Sequence, residues 1–323
     1  MKMGASITGV GHYLPEKILT NQQLEQMVDT SDEWIIQRTG IKERRICRDD
    51  EFTSDLAIKA VDNLQKKSDI NLDDVDHIIV ATMTADYYCP NVASRIQAHI
   101  KSSHAGVIDI NVACSGFVYA LEYAVGLINS GMNKKVLVIG AEAMSKLVDW
   151  KDRTTCILFG DGAAAFLLED RSSTDFLAFI KQSYGDLGHH LVCNGLSNKL
   201  NKGIGQTITQ SGRDIYRWVV SNIPKCINEL IDKSNLSLTD INWFIPHSAN
   251  LRIIEAVCDR LNYPISKTLL SLTLCGNTSA ASIPLAFAIA HDEGKIKNKD
   301  TLILHGFGGG LSQLGIVIKL NNL

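Results

Sequence analysis

The chain of 323 residues has eight cysteines but no C-x-x-C pair, so neither a thiolate zinc site nor a disulfide framework is indicated. It also lacks an excess of either charge. With 32 basic and 35 acidic residues the formal net charge is −3, which excludes a globally charge-driven partner such as nucleic acid or a membrane surface. No apolar run approaches the roughly eighteen residues of a spanning helix. The opening "MKMGASITGVGHYLP" has no apolar stretch followed by a small-residue cleavage site, so a cytoplasmic location is expected. The glycine clusters have the spacing of neither a Walker loop nor a dinucleotide fingerprint. What remains is an ordinary globular composition, 45% hydrophobic and 21% charged, in a chain long enough for one large domain or two intimately packed ones.

Short apolar runs alternate with amphipathic stretches of helical length, the pattern of layered α/β proteins. The chain also repeats itself. "DHIIVATM" (76–83), "GVIDINVACSGFVYALEYAVGLINSG" (106–131), "KKVLVIGAE" (134–142) and "AAAFLLE" (163–169) are echoed by "INWFIPHS" (241–248), "TLLSLTLCGNTSAASIPLAFAIAHDEG" (268–294), "DTLILHGFGGG" (300–310) and "LGIVIKL" (314–320). Two similar halves are expected, 1–171 and 172–323, joined without a linker. Cys114 and Asn277 each lie 17 residues before a glycine, Gly131 and Gly294, which suggests that they are equivalent. The helices that follow are apolar nearly all round and should be buried between sheets, giving five layers in the order αβαβα.

Cys114 falls at a strand-to-helix turn, where unpaired backbone N–H groups and the helix dipole favour a thiolate. Taken alone it reads as a core thiol, but its small neighbours Ala113, Ser115 and Gly116 leave room for a substrate to reach the sulfur. His247 follows an apolar strand, where α/β sheets collect ligand-binding residues, although a lone histidine there is more often structural. Asn277 opens the second buried helix, where an ordinary N-cap is the alternative. "GFGGG" (306–310) would let backbone amides approach a substrate as an oxyanion hole requires. Asp161 in "FGDGAAA" is expected to be structural.

"TSDEWIIQRTGIKERR" (30–45), "NVACSGF" (111–117), "DRTTCILFGDGAAA" (152–165), "PHSANLRI" (246–253), "GNTSAAS" (276–282) and "GFGGG" together resemble β-ketoacyl-acyl-carrier-protein synthase III, of the thiolase superfamily, across the whole chain. The resemblance implies a duplicated thiolase-like fold with two mixed sheets around buried helices. It implies an acyltransferase that condenses an acyl-CoA primer with malonyl-acyl carrier protein to start fatty acid synthesis, with no cofactor or metal, as a homodimer. Cys114 would carry the acyl group. His247 and Asn277 would stabilise the enolate left by loss of CO2, and the amides of Cys114 and Gly309 would hold the other oxyanion. Trp34, Arg38, Arg153 and Asn250 would bind CoA, Cys89 and Phe307 would line the acyl pocket, and Arg252 would dock the acidic carrier protein.

Lys42, Arg44 and Arg45 read either as a solvated face or as further carrier contacts. The chain departs from the family in having Ser248 where a Gln is common, Cys89 where a phenylalanine often reaches the partner's acyl pocket, and Gln313 in place of a Trp. The small Cys89 predicts tolerance of longer or branched primers. The segment 188–212 is atypical and is expected to roof the tunnel, with His189 and His190 at the surface. Competing readings are a condensing or acyl-transferring enzyme of a secondary pathway, a non-catalytic dimeric scaffold, and a Cys/His hydrolase. The hydrolase is disfavoured because no motif supplies a carboxylate to orient His247.

Overall fold

The computed structural model describes residues 4–197, 199–200, 207–321 and 323. In chain order the first half comprises β1 (Gly4–Tyr13), β2 (Lys17–Thr20), α1 (Asn21–Glu25), α2 (Asp32–Thr39), β3 (Glu43–Ile46), α3 (Thr53–Ser68), β4 (His77–Ala81), α4 (Val92–Ile100), β5 (Gly106–Ile110), α5 (Gly116–Asn129), β6 (Lys135–Ala143) and β7 (Asp161–Arg171). The second comprises β8 (Phe176–Ser183), β9 (Leu191–Cys193), β10 (Ile208–Gln210), α6 (Gly212–Ser234), β11 (Trp243–Pro246), α7 (Leu251–Leu261), α8 (Leu272–Cys275), α9 (Ser282–Asp292), β12 (Thr301–Gly308) and β13 (Ser312–Lys319).

The duplication is visible strand by strand. One sheet runs β1-β7-β6-β4-β5 and the other β8-β13-β12-β11, the same order with the same directions. In each, two antiparallel pairings (β1–β7 and β7–β6; β8–β13 and β13–β12) precede a parallel one (β6–β4; β12–β11). Among the described residues the second sheet has four strands and no counterpart of β5. Only a single parallel bridge, Phe244 to Thr268, stands where β5 pairs with β4, because the chain turns at once into the short α8.

Side-chain alternation along the strands builds the layers. In the first sheet Ile78, Val80, Leu137 and Ile139 face α3 and α4, whereas Ile79, Ala81, Val136 and Val138 face the opposite way, onto α5 and α9. The second sheet presents Leu302 and Leu304 to the same central helices, and Ile303, Phe307 and Val317 to α6 and α7. The result is helix, sheet, helix, sheet, helix. The outer helix α3 keeps one apolar stripe (Leu56, Ala57, Ala60, Val61, Leu64), while α5 and α9 are apolar on nearly all sides, as a layer between two sheets must be.

The repeat register needs one correction. Ala113 and Ser279 share a left-handed backbone, φ 45° and 47°, immediately before the two central helices. Asn111 Oδ1 accepts from Ala113 N at 3.1 Å, and Asn277 Oδ1 accepts from Ser279 N at 2.9 Å. The equivalent of Asn277 is therefore Asn111, and Cys114 corresponds to Ala280. Counting back from Gly131 and Gly294 misplaces the pairing because α9 has 11 residues against 14 in α5.

Arg44 is a second correction. It is not on a solvated face: β3 alternates, so Arg44 and Ile46 point inward. The guanidinium is fully buried and donates to Asn21 Oδ1 (2.7 Å), Leu19 O (3.2 Å) and Ile157 O (2.7 Å), fastening β3 to the loop before β7. Burial lowers its pKa to about 10, so it remains charged.

Candidate active site

A cavity of about 2190 Å³ opens where the two halves meet, and Cys114, His247, Asn277, Phe307 and Gly309 all line it. Its floor is made where β12 approaches the start of α5. A Cβ on Gly306 would lie 2.6 Å from Val118 Cγ2, and one on Gly308 would lie 2.7 Å from Cys114 Cβ. Glycine at these two positions lets the strand press against the helix terminus.

Cys114 lies in the short 3-10 turn Ala113–Ser115 that leads into α5 and is 6% exposed. Burial pushes its thiol up to about 12, the Glu142 carboxylate adds to that, and the Ser279 hydroxyl acts in the opposite sense. The left-handed Ala113 just before it is backbone strain of the kind found at functional turns. Ser115 anchors the turn by donating to Val112 O at 2.8 Å and by a 2.8 Å bond with Ser312 Oγ across the junction.

His247 directly follows β11 and its backbone N donates to His305 O at 2.8 Å. Its Nδ1 lies 2.7 Å from Ser282 Oγ, and Phe307 meets its ring edge-on at 5.2 Å. These contacts leave Nε2 for the cavity. Burial lowers the imidazole pKa to about 3, so the ring is neutral across the physiological range.

Asn277 is held at its backbone by Leu158 O, which accepts from its N at 2.8 Å, and by Gly160 N, which donates to its O at 3.1 Å. Its Oδ1 is engaged by Ser279 N, so the group it can present to a ligand is the Nδ2 amide, a pure donor.

At the mouth, Trp34 is 39% exposed and carries two guanidinium groups, Arg38 and Arg153, each 5.8 Å from its ring centroid. Arg153 also donates to Asp29 O at 2.8 Å. Trp34, Arg38, Asn250 and Arg252 line the cavity; Arg153 stands behind Trp34, with Thr154 as the lining residue. Asn250 caps α7, its Oδ1 accepting from Arg252 N at 3.0 Å. Arg252 is exposed and forms no ion pair among the described residues. Cys89 is exposed at the opposite wall, beside Tyr87 and Tyr88.

The paired strands β9 and β10 line the cavity through Leu191, Val192, Cys193, Ile208 and Gln210; part of the expected roof, 198 and 201–206, lies outside the described residues. His189 is exposed and His190 half-buried. Asp161 is structural, accepting from Cys47 N, Ser145 N and Ser145 Oγ. Gln313 donates from Nε2 to Gln182 Oε1 at 2.9 Å, inside the sheet and away from the cavity. Ser248, fully buried, accepts from Ser271 N at 3.2 Å, a packing role for its side chain that supplies no side-chain amide to the site.

Ser282, Ser279 and Glu142 escaped sequence reading. Glu142 Oε atoms accept from Thr84 Oγ1 (2.6 Å), Thr82 Oγ1 (3.1 Å) and Met83 N (3.2 Å), and one lies 3.4 Å from Ala280 N. No group of His, Cys, Asp and Glu among the described residues is arranged to hold a metal ion. No helix among the described residues is long and apolar enough to cross a membrane.

Comparison with known proteins places this geometry. The family models for 3-oxoacyl-[acyl-carrier-protein] synthase III and for its C-terminal part match residues 108–185 and 231–320. A β-ketoacyl-[acyl-carrier-protein] synthase III 2 of Halalkalibacterium halodurans is 50% identical over 98% of this chain and 96% of its own length. Its counterpart in Staphylococcus epidermidis is 51% identical over 99% of each. The crystal structure of the Thermus thermophilus synthase superposes with a TM-score of 0.94 at 40% identity, covering 98% of this chain and all of that one. With this similarity running the length of the chain, and with the cavity at the junction of two matching halves, the protein belongs to the 3-oxoacyl-[acyl-carrier-protein] synthase III family.

Proposed function

We propose that Cys114 takes an acyl group from an acyl-CoA primer and that the acyl-enzyme is then condensed with malonyl-acyl carrier protein. Family membership makes the chain a condensing acyltransferase that initiates fatty acid synthesis. The observation that carries the residue roles is the convergence of one thiol and two fixed donors on a single cavity. The sulfur attacks the primer thioester and CoA leaves. Decarboxylation of the malonyl group develops charge on its thioester oxygen, where a neutral imidazole and an amide can donate without competing as bases. The enolate carbon then attacks the acyl-Cys114 carbonyl, whose oxygen is held by the amides of Cys114 and Gly309. We assign Trp34, Arg38, Arg153 and Asn250 to CoA, since an indole can stack on adenine and guanidinium groups can grip phosphates. Arg252 is assigned to the acidic carrier protein, with Lys42 and Arg45 as further contacts.

The acting unit is a homodimer. Strand β5 ends its sheet with an edge that is unpaired among the described residues, and Val107 (37%) and Ile108 (44%) are exposed on it, lining the same cavity as Tyr88. An apolar open edge of this kind is a pairing surface. A second copy added there would carry Cys89 toward its neighbour's acyl pocket. The two halves divide at 171/172, and the composition supports a cytoplasmic location.

The test is a panel of acyl-CoAs read by intact mass. Acylation at Cys114 followed by chain extension on malonyl-carrier protein is expected. Absence of acylation would favour a scaffold, and acylation followed only by hydrolysis or transfer would favour a different acyltransferase.

A further inference from the structure

Glu142 is a buried acid that the steps above do not use. It is fully buried, no basic side chain among the described residues pairs with it, and its hydrogen-bond partners are the hydroxyls of Thr82 and Thr84 and the backbone amides of Met83 and Ala280. Between it and the nucleophile stands Ser279. The turn Ser279–Ala281 packs against both the Ala113–Ser115 turn that carries Cys114 and β6, which carries Glu142, and the adjoining Ala280 N lies 3.4 Å from a Glu142 oxygen; the Ser279 hydroxyl acts to lower the pKa of both groups. It is fully buried and makes no well-formed hydrogen bond with any described group, so its rotor is free to serve either neighbour. Its backbone is held in the left-handed region at φ 47° by the Asn277 side chain, which accepts from Ser279 N. A strained serine kept in place by one reacting residue and placed between a thiol and a carboxylate has the geometry of a proton relay.

We propose that Glu142 takes up the Cys114 thiol proton through the Ser279 hydroxyl, so that the nucleophilic sulfur is generated by this carboxylate and not by His247. The S–H bond breaks as Ser279 Oγ accepts its proton, and the hydroxyl's own proton passes to a Glu142 oxygen. The thiolate forms the new S–C bond at the primer carbonyl and the C–S bond to CoA breaks. The departing CoA thiolate receives the proton back along the same path, which restores the Glu142 carboxylate.

His247 is the obvious competitor, but it is poorly suited. Its Nδ1 is engaged by Ser282, and burial holds its pKa near 3, whereas burial lifts Glu142 to about 7. Burial thus raises the basicity of the carboxylate and lowers that of the imidazole, so Glu142 is the better acceptor of the two. The Thr82, Met83 and Thr84 donors fix which way the carboxylate points. A purely structural Glu142, serving only to tie the 82–84 turn to the start of α9, predicts a loss of stability with no change in thiol chemistry.

This inference rests on Cys114 being the acylated residue, and the test separates the two. Wild type, Glu142→Gln, Glu142→Asp, Ser279→Ala and the Gln/Ala double variant are compared for release of CoA in a single turnover with acyl-CoA. Each is also compared for alkylation of Cys114 by iodoacetamide, both from weakly acidic to strongly basic pH. Wild-type rates should rise through about pH 7 and level off. Glu142→Gln and Ser279→Ala should each be at least tenfold slower at neutral pH, with the rise displaced to the range of the thiol itself. The double variant should be no slower than either single one, as expected for groups acting as a unit. Glu142→Asp should retain a near-neutral inflection. Wild-type rates and an unchanged pH profile in Glu142→Gln would overturn the relay, as would losses that multiply in the double variant. A wild type that is never acylated yet is alkylated with the near-neutral inflection would defeat the assigned reaction and leave the relay standing.

Discussion

The Nδ1 atom of His247 lies 2.7 Å from Ser282 Oγ, and Ser248 N donates to that same oxygen at 3.4 Å. With one amide already donating to it, the Ser282 hydroxyl is best satisfied by donating its own proton to Nδ1. That choice leaves the proton on Nε2, the tautomer that can donate to an enolate oxygen in the cavity. Ser282→Ala should therefore lower the decarboxylative step about tenfold by freeing the tautomer and ring orientation. His247→Ala should cost about 10² to 10³ by removing the donor itself. Stopped-flow release of CO2 from malonyl-carrier protein distinguishes the two; equal losses would show that Ser282 does more than orient the ring.

Burial of neutral imidazoles makes the fold sensitive to acid. His305 is fully buried, neither ring nitrogen has a partner among the described residues, and its pKa is lowered to about 3. The unfolded chain binds a proton near pH 6.5 and the native state does not, so the stability due to this group is complete above 6.5 and falls as pH drops toward 3. His247 behaves in the same way. Each unit below 6.5 is worth about 1.4 kcal/mol per group. His305→Leu should match wild type in urea at neutral pH to within about 2 kcal/mol, yet gain on it by a further 2 to 3 kcal/mol, roughly, at about pH 4.5. A difference between the two that is constant with pH would show that His305 takes up its proton as readily in the native state as in the unfolded chain.

The parts of this site that sequence could reveal are those carried by local punctuation. Cys114, His247 and Asn277 each sit where an apolar run meets small residues, and Trp34, Arg38 and Arg153 lie in continuous motifs, so their convergence was legible. The relays behind them were not. Glu142 closes the strand segment "KKVLVIGAE" and has no motif of its own, while Ser279 lies 137 positions away; only the packing of the turn before α9 against the first sheet joins them. The Cys114–Asn277 equivalence failed for a related reason, because the shortened α9 preserves spacing at its C-terminal glycine and not at its start. Arg44 looked solvated because "KERR" is charged, although the two-residue period of β3 already separated Arg44 from its neighbours.

The contact between Gly308 and Cys114 should tolerate no side chain. A methyl group placed 2.7 Å from Cys114 Cβ and 3.2 Å from its sulfur must displace the nucleophile or the strand. Gly308→Ala is expected to cut acylation at least a hundredfold, since a misplacement of about 1 Å is enough for that loss. Because β12 is a central strand, destabilisation of about 1 to 3 kcal/mol should accompany it. Intact-mass acylation kinetics beside thermal melting would check both, and a variant acylated at the wild-type rate would show that the sulfur does not react from the position seen here.

At the mouth, the two guanidinium groups over Trp34 hold the indole in place while leaving it 39% exposed. Trp34→Ala should raise KM for acyl-CoA about tenfold with little change in kcat, the signature of binding lost equally from ground and transition states. Arg153→Ala should do the same and should also weaken the salt dependence of KM, because it removes a charge near the phosphates. A fall in kcat at unchanged KM would remove these residues from CoA binding.

Primer choice should respond to Cys89. Its side chain is exposed on the cavity wall between Tyr88 and Pro90, next to the open edge through which a second copy would pair. In the proposed dimer it reaches the partner's acyl pocket, and a thiol there leaves space that a phenyl ring would fill. Cys89→Phe should therefore move preference toward acetyl-CoA and away from branched or longer primers. Loss of one or two buried methylenes' worth of room corresponds to about 1 to 3 kcal/mol, or 10- to 200-fold in the ratio of kcat/KM values. Competition between acetyl-CoA and isobutyryl-CoA, read as the acyl-Cys114 masses formed, measures the ratio directly. Light scattering should show that the variant remains a dimer, so that the change is assigned to the pocket and not to assembly; an unchanged acyl ratio in an intact dimer would place Cys89 outside the acyl pocket.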